Sequence, residues 1–251
     1  LVGSEMCIRD SRYIDVMLCQ INQTYLRTLQ RYQHVVSQRN ALLRSIRDKQ
    51  GHDEEIEYWD EALSNDGASI LEIRNQAVRF LNHQVRDMYH DLMGPDQELQ
   101  VSYVSTVGSI GEESGDHETF RNAIASRLIS LSRQERLLGH SLVGPHRDEL
   151  RLSLGGIEIA SCASRGEARM AALALRLAEG KFLARERGEF PVLLLDDVFS
   201  ELDQRRREFV LGVIKGYPQA LLTSADAQQL RGHELGAAHI FSVSDGHVSL
   251  E

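Results

Sequence analysis

Cysteine is scarce in this chain and poorly placed for cross-linking. Cys7, Cys19 and Cys162 are odd in number and form no close pair, so neither a disulfide framework nor a zinc site is indicated, and a reducing cytoplasm fits best. No stretch reaches the roughly 18 apolar residues that a membrane span needs. No basic segment followed by an apolar core opens the chain, so no secretory signal is visible. The sequence also contains no Gly-x-x-x-x-Gly-Lys-Ser/Thr, the loop whose backbone cradles nucleotide phosphates. Gly180-Lys181 is followed by Phe182 and lies in a helical pattern. A net charge of −9 excludes a uniformly basic nucleic-acid binder.

What is present is enough for a core. The 251 residues are 42% hydrophobic, which suits one large domain or two modest ones. Charge is unevenly spread: Arg12 to Gln50 carries seven bases against two acids, whereas Gly51 to Glu118 carries sixteen acids against three bases. Such blocks offer a basic surface for phosphates and an acidic surface for something else, or two solvated helix faces. The opening Leu1 to Ser11 has no helical or strand period and joins abruptly to a strong helical pattern. Residues 1–12 are therefore set aside as a non-native segment, an expression scar or translated adapter, with a disordered natural terminus as the alternative.

Tyr13 to Asp48 is expected to form one long helix, its seam running through Ile14, Leu18, Ile21, Tyr25, Leu29, Tyr32, Val36, Leu43 and Ile46. Gln50-Gly51-His52-Asp53 breaks the pattern. A second helix from Glu54 to Leu92 uses Ile56, Trp59, Leu63, Ile70, Ile73, Ala77, Phe80, Val85 and Met88, is weakened by Gly67, and stops at Gly94-Pro95. Neither stripe can be buried alone, so the two helices are expected to pack as an antiparallel hairpin arm spanning 13–97. The remainder, 98–251, reads as strands Leu99 to Val104, Glu149 to Leu154 and Ile157 to Ala160, and helices Phe120 to Leu138, Ala168 to Arg187 and Arg205 to Lys215. A mobile loop is expected over Val107 to His117. Val192 to Leu195 and Ala220 to Thr223 are wholly apolar runs, the mark of strands buried on both faces. A hairpin turning at Asp245-Gly246 closes the chain. This alternation is α/β logic with some parallel pairing.

The sharpest chemical signal is Pro191-Val-Leu-Leu-Leu-Asp196-Asp197. A strand that ends in two adjacent carboxylates delivers them to the edge where open α/β sheets bind ligands. One acid can hold Mg²⁺ and the other can orient or deprotonate water; the plain alternative is a strand followed by an acidic loop. Ser200-Glu201-Leu202-Asp203 comes next, ahead of a helix. Upstream, Ser164-Arg165-Gly166-Glu167 opens a helix and offers a hydroxyl and free N–H groups to a phosphate, or merely caps the helix.

Together, Ser161 to Glu179 and Pro191 to Arg205 resemble the head of an ABC-type ATPase of the SMC-like branch. Three further strings resemble hallmarks of the RecF family of DNA-repair ATPases: Leu142-Val-Gly144-Pro145-His146-Arg147-Asp148-Glu-Leu150, the Arg-Tyr-Gln and Gln-Arg-Asn-Ala-Leu-Leu run from Arg31 to Leu43, and Tyr58-Trp59-Asp60. The resemblance covers Tyr13 to Glu251. It implies an α/β fold, the C-terminal part of an ABC-type (SMC-like) P-loop ATPase head with an inserted antiparallel helical-hairpin arm.

The resemblance also implies roles. Asp196 becomes the Mg²⁺-coordinating acid of the Walker B motif and Asp197 the catalytic carboxylate. Ser164, Arg165, Gly166 and Glu167 form the signature that meets ATP held by a second subunit. Ser200, Glu201, Leu202 and Asp203 form the D-loop at the dimer seam, and Thr223 and Ser224 the polar switch. Glu167 departs from the Gln expected there, which puts its role in doubt, since a carboxylate facing a triphosphate is unfavourable. ATP and Mg²⁺ are the implied cofactors. The implied partners are DNA at gaps or single-strand/duplex junctions, a second copy of the chain, and recombination mediators of the RecR and RecO type. The phosphate-binding loop would belong to a lobe preceding this chain, so a weak DNA-dependent ATPase is expected to be inactive as this fragment. Arg39 and Arg44 are candidate DNA contacts. Gly144 to Asp148 is either a tight turn or part of a ligand site. The competing functions are a non-catalytic recruiting module and a metal-dependent phosphohydrolase using Asp196 and Asp197 directly.

Overall fold

The computed structural model describes residues 12–50, 55–108, 115–225 and 238–250. The opening segment, the turn at Gly51 to Asp53 and the middle of the expected 107–117 loop lie outside them. The chain divides into two compact units, one ending at Glu189 and one beginning at Phe190. The boundary expected at 97/98 falls inside the first unit.

The first expected helix is two. Helix α1 (Arg12–Ile21) and helix α2 (Gln23–Arg47) are separated by Asn22, whose backbone is extended (φ −127°, ψ 99°). The Asn22 side chain accepts from the Tyr25 amide at 2.8 Å, so the residue ends one helix and caps the next. Helix α3 (Ile56–Met93) ends at Gly94, which takes φ 94°. Cross-links from α2 to α3 run Tyr25 to Arg74, Arg31 to Asp66 and Arg39 to Asp60. Numbers rise on one helix as they fall on the other, so the hairpin is antiparallel, as its two stripes require.

Helix α3 is also the spine of the first unit. Strand β1 (Leu99–Val104) packs beside it, and helix α4 (His117–Leu138), capped by Asp116, lies across it. Gly67 explains the close approach: a Cβ there would sit 2.9 Å from Ile124 Cδ1 and 3.4 Å from the Tyr32 ring. Its smallness admits α2 and α4 to one place and is not merely a weak point of the helix. Strand β2 (Glu149–Leu154) pairs antiparallel with β1, with Leu99 opposite Leu154 and Val104 opposite Glu149. Strand β3 (Ile157–Glu158) is shorter than expected, because the chain turns into the one-turn helix α5 (Ile159–Cys162). Helix α6 (Arg165–Arg187) comes next and packs on α3, Phe80 meeting Phe182 at 5.5 Å between ring centres.

The second unit holds strand β4 (Leu193–Asp196), a 3-10 turn (Val198–Glu201), helix α7 (Gln204–Ile214) and strand β5 (Ala220–Thr223). Strands β4 and β5 are parallel, Asp196 lying opposite Thr223. Strands β6 (Phe241–Ser244) and β7 (His247–Leu250) form the expected hairpin, with Asp245 at φ 50° and Gly246 at φ 79° in the turn. The expectation of strands buried on both faces is corrected. Leu195 is 6% exposed, but Leu194 is 70% exposed and Leu221 52%. A parallel pair normally has both faces covered; here one apolar face is open. Among the described residues no helix is long and apolar enough to cross a membrane.

Candidate nucleotide-hydrolysis site

Strand β4 carries Asp196 to its carboxyl end, and the parallel register sets Thr223 beside it. The Thr223 hydroxyl donates to Asp196 Oδ1 at 2.5 Å and accepts from the Asp197 amide at 3.0 Å. That amide also donates to the Thr223 carbonyl at 3.2 Å. Asp197 then leaves the strand in the left-handed region, φ 47° and ψ 30°, a conformation that costs a non-glycine residue ~1–2 kcal/mol and needs support. Ser200, within the turn, supplies some of it: its hydroxyl lies 2.9 Å from the Asp197 carbonyl oxygen and 3.1 Å from Asp197 Oδ2. Leu202 is buried and anchors the turn, and Asp203 caps α7 by accepting from the Arg206 amide at 2.9 Å. Asp196, Asp197, Ser200 and Thr223 therefore form one exposed polar cluster. Ser224 comes just after β5 and is half-buried.

Both carboxylates stay exposed. A carboxylate has about four lone-pair sites, and Asp196 uses one on Thr223. That leaves capacity for a hard cation, and Mg²⁺ accepts one or two carboxylates with water and phosphate oxygens completing its shell. Among the described residues no group of three or more His, Cys, Asp or Glu side chains forms a metal cage.

The signature residues lie in the first unit, at the start of α6. Ser164 and Glu167 form a reciprocal capping box: the Glu167 amide donates to Ser164 Oγ at 3.3 Å, and the Ser164 amide donates to Glu167 Oε2 at 2.8 Å. The Ser164 backbone amide first, then the Ser164 and Gln97 side chains, hold the Glu167 carboxyl below its ordinary range. The side chain thus turns back onto its own helix end, a physical account of how a carboxylate is tolerated there. Arg165 and Gly166 are exposed, and a Cβ at Gly166 would meet nothing within 4 Å.

Arg39, a candidate DNA contact by sequence, does not lie at the surface. Its side chain is 2% exposed and bridges Asp60 at 2.7 Å, Glu135 at 2.6 Å and the Ser141 hydroxyl at 2.8 Å. A guanidinium so enclosed is out of reach of a phosphate at the surface. Arg44 remains exposed. The signal was in the sequence: the seam skips from Val36 to Leu43, and Arg39 fills the gap at helical spacing.

Gly144 to Asp148 is a knot of the first unit. Gly144 takes φ 119°, and its carbonyl closes a turn by accepting from the Arg147 amide at 2.9 Å. Pro145 accepts from Arg74 at 2.8 Å through its carbonyl. His146 Nδ1 meets the Tyr32 hydroxyl at 2.7 Å. Burial first, then the charge of Arg147, lowers the His146 pKa to about 4, so the ring is neutral at pH 7. Asp148 accepts from the Tyr103, Ser105 and Thr106 hydroxyls and from the Thr106 amide, at 2.7–3.0 Å. Sequence reasoning missed the hub of this knot. Arg74, 1% exposed, grips both oxygens of Asp15 at 2.8 and 2.9 Å and donates to Tyr103 at 2.8 Å. The signal available was a charged residue on the seam of α3 between Ile70 and Ala77.

No family model matches the chain. Proteins described as DNA replication and repair protein RecF do. The one from Herpetosiphon aurantiacus is 40% identical over 218 residues, 86% of this chain and 54% of that protein. The one from Symbiobacterium thermophilum is 39% identical over 243 residues, 96% of this chain and 63% of its own length. A solved structure of the recombination mediator protein RecF with ATP superposes with a TM-score of 0.80 at 27% identity, covering 97% of this chain and 64% of that one.

This chain belongs to the RecF family.

Its α/β architecture is accordingly that of an ABC-type ATPase head with a helical hairpin. The chain spans 54–64% of the length of the RecF relatives it matches. Three strings that carried the resemblance touch one another in the RecF fold. Tyr32 meets His146, Arg39 meets Asp60, and the Asn40 side-chain oxygen Oδ1 accepts from the amide and hydroxyl of Ser141, just before Leu142. All of these contacts lie within the first unit.

Proposed function

We propose that this RecF-family chain is part of an ATP-dependent DNA-binding protein of replication and repair, in which two copies close on DNA with ATP between them. The observation that carries the reading is the exposed Asp196–Asp197–Thr223–Ser200 cluster at the carboxyl edge of a parallel strand pair, in a chain whose fold matches an ATP-bound RecF. In this reading Asp196 holds Mg²⁺, which when bound neutralises phosphate charge. Asp197 orients the attacking water and takes its proton. Ser164 and Gly166 present a hydroxyl and free amides at the positive end of α6 to the γ-phosphate held by the other copy. Ser200 to Asp203 lie at the seam, and Thr223, with Ser224, senses the state of the site through Asp196. DNA gaps and junctions are the substrates, RecR- and RecO-type mediators the partners, and the cytoplasm the place of action.

The sequence has no phosphate-binding loop, so this chain by itself is expected to release no phosphate from ATP above background. The decisive experiment uses the full-length protein. Asp197→Asn should keep nucleotide binding and ATP-dependent dimers while turnover falls by roughly 10²–10⁴-fold. Asp196→Asn should lose Mg²⁺-dependent nucleotide affinity. Normal turnover in Asp197→Asn with loss in Asp196→Asn would reverse the two assignments, and normal turnover in both would remove this site from the chemistry. Ser164→Arg should bind ATP as a monomer yet fail to dimerise in sedimentation with a non-hydrolysable analogue; an unimpaired dimer would leave Ser164 as a helix cap alone.

A further inference from the structure

The Asp197 backbone is held at both ends by hydroxyl-bearing side chains. Its amide is fixed by Thr223, through both carbonyl and hydroxyl, and its carbonyl by Ser200. A left-handed aspartate is otherwise a poor aiming device, because relaxing to an ordinary conformation would swing the side chain away. Ser200 acts on the side chain as well, its hydroxyl reaching Oδ2 at 3.1 Å. A serine has one proton to donate, so that proton is shared between the Asp197 carbonyl and carboxylate and ties the direction of one to the other. The remaining lone pairs of the carboxylate are left to accept a proton from water.

We infer that Ser200 is a positioning residue for Asp197: its hydroxyl holds the left-handed aspartate and its carboxylate in one pose, so that the loop carrying Ser200 sets the aim of the general base. This rests on the proposed role of Asp197 in ATP hydrolysis and adds a cause for its geometry. It also gives the Ser200–Asp203 loop a task within its own subunit. A second copy that engages this loop would act on Asp197 through one hydrogen bond, with no longer relay. Near-attack geometry is sensitive to displacements of about 1 Å, so loosening this pin is expected to reduce turnover without altering the nucleotide contacts.

The test compares Ser200→Ala, Ser200→Thr, Asp197→Asn and the Ser200→Ala/Asp197→Asn double variant of the full-length protein. Ser200 is exposed and its replacement removes one oxygen, so thermal unfolding should change little. Ser200→Ala should lower kcat about ten-fold and leave KM within about two-fold, and Ser200→Thr, which keeps the hydroxyl, should restore most of it. The double variant should turn over no more slowly than Asp197→Asn, because the pin has nothing left to aim. Sedimentation with a non-hydrolysable analogue should show Ser200→Ala dimerising like the parent. Unchanged kcat in Ser200→Ala, with Asp197→Asn inactive, would overturn the inference and leave the proposed function standing. A Ser200→Ala protein that fails to dimerise, or a double variant with fully additive losses, would make Ser200 a seam contact and also overturn it. Full activity in Asp197→Asn would instead remove the proposed function on which the inference depends.

Discussion

The knot around Asp148 and the cluster around Asp197 use the same parts, a carboxylate with hydroxyls and a backbone amide nearby, and arrive at opposite properties. Asp148 is 3% exposed and accepts four hydrogen bonds, and burial still raises its pKa above the ordinary value. Its lone pairs are spent on Tyr103, Ser105 and Thr106. Asp196 and Asp197 are exposed, and the hydroxyls beside them occupy one oxygen each. A carboxylate near hydroxyls is a clasp when every acceptor site is filled and water is excluded, and stays open to a ligand when some remain free. The arginines of α2 repeat the contrast, since Arg39 is enclosed by partners whereas Arg44, just over one turn on, is exposed.

Arg74→Met should cost about 3–5 kcal/mol in urea unfolding, because it leaves the Asp15 carboxylate without its counter-charge and the Pro145 carbonyl without its donor in a site built for a guanidinium; a loss under about 1 kcal/mol would show that the knot is dispensable. Histidine protonation comes next. The folded pKa of His146 lies near 4, against an ordinary 6.5. Between those values the unfolded chain binds the proton and the folded chain does not. Stability from this group is therefore full above about pH 6.5 and is lost as pH falls toward 4, on the order of 3 kcal/mol in all. His146→Gln should flatten that part of the stability profile, and an unaltered profile would assign the acid sensitivity elsewhere. Gly144→Ala should cost roughly 1–3 kcal/mol, since alanine strains at φ 119° and its Cβ would collide with the Tyr32 hydroxyl; thermal unfolding measures it. In the exposed region the same unfolding assay should find Asp197→Ala within about 1 kcal/mol of the parent, the left-handed backbone making alanine a slightly poorer occupant. The smallest effect concerns DNA. Arg44→Ala in the full-length protein should reduce the slope of log K against log salt for duplex binding by about 0.9, the value for one phosphate contact, and an unchanged slope would return Arg44 to a structural or protein-binding role.

Much of this protein is legible in its sequence, for reasons of period and chain order. The stripes of α2 and α3 specify an antiparallel hairpin, because neither can be buried alone. The apolar run ending in Asp196-Asp197 specifies a strand that delivers acids to an edge, and Asp245-Gly246 specifies a tight hairpin turn. The order of the signature, acidic strand and subsequent turn marked the family. Tertiary structure decided what periodicity cannot express. Asn22 reads as one more polar residue on a helix, and only its bond to the Tyr25 amide makes it a boundary. Gly67 scores as a weak helix former until Tyr32 and Ile124 converge on it. Arg39 and Arg74 carry the charge of surface residues, and their burial depends on partners from Asp15 to Pro145, far apart in sequence. The openness of Leu194 and Leu221 likewise depends on what lies over the strands and not on their composition. Local sequence encodes which face is apolar and where a helix or turn begins, because those are interactions among neighbours. Whether a given Asp, Arg or Ser is a closed clasp or open to a ligand is set by how many distant donors and acceptors reach it, and that number exists only in the folded chain.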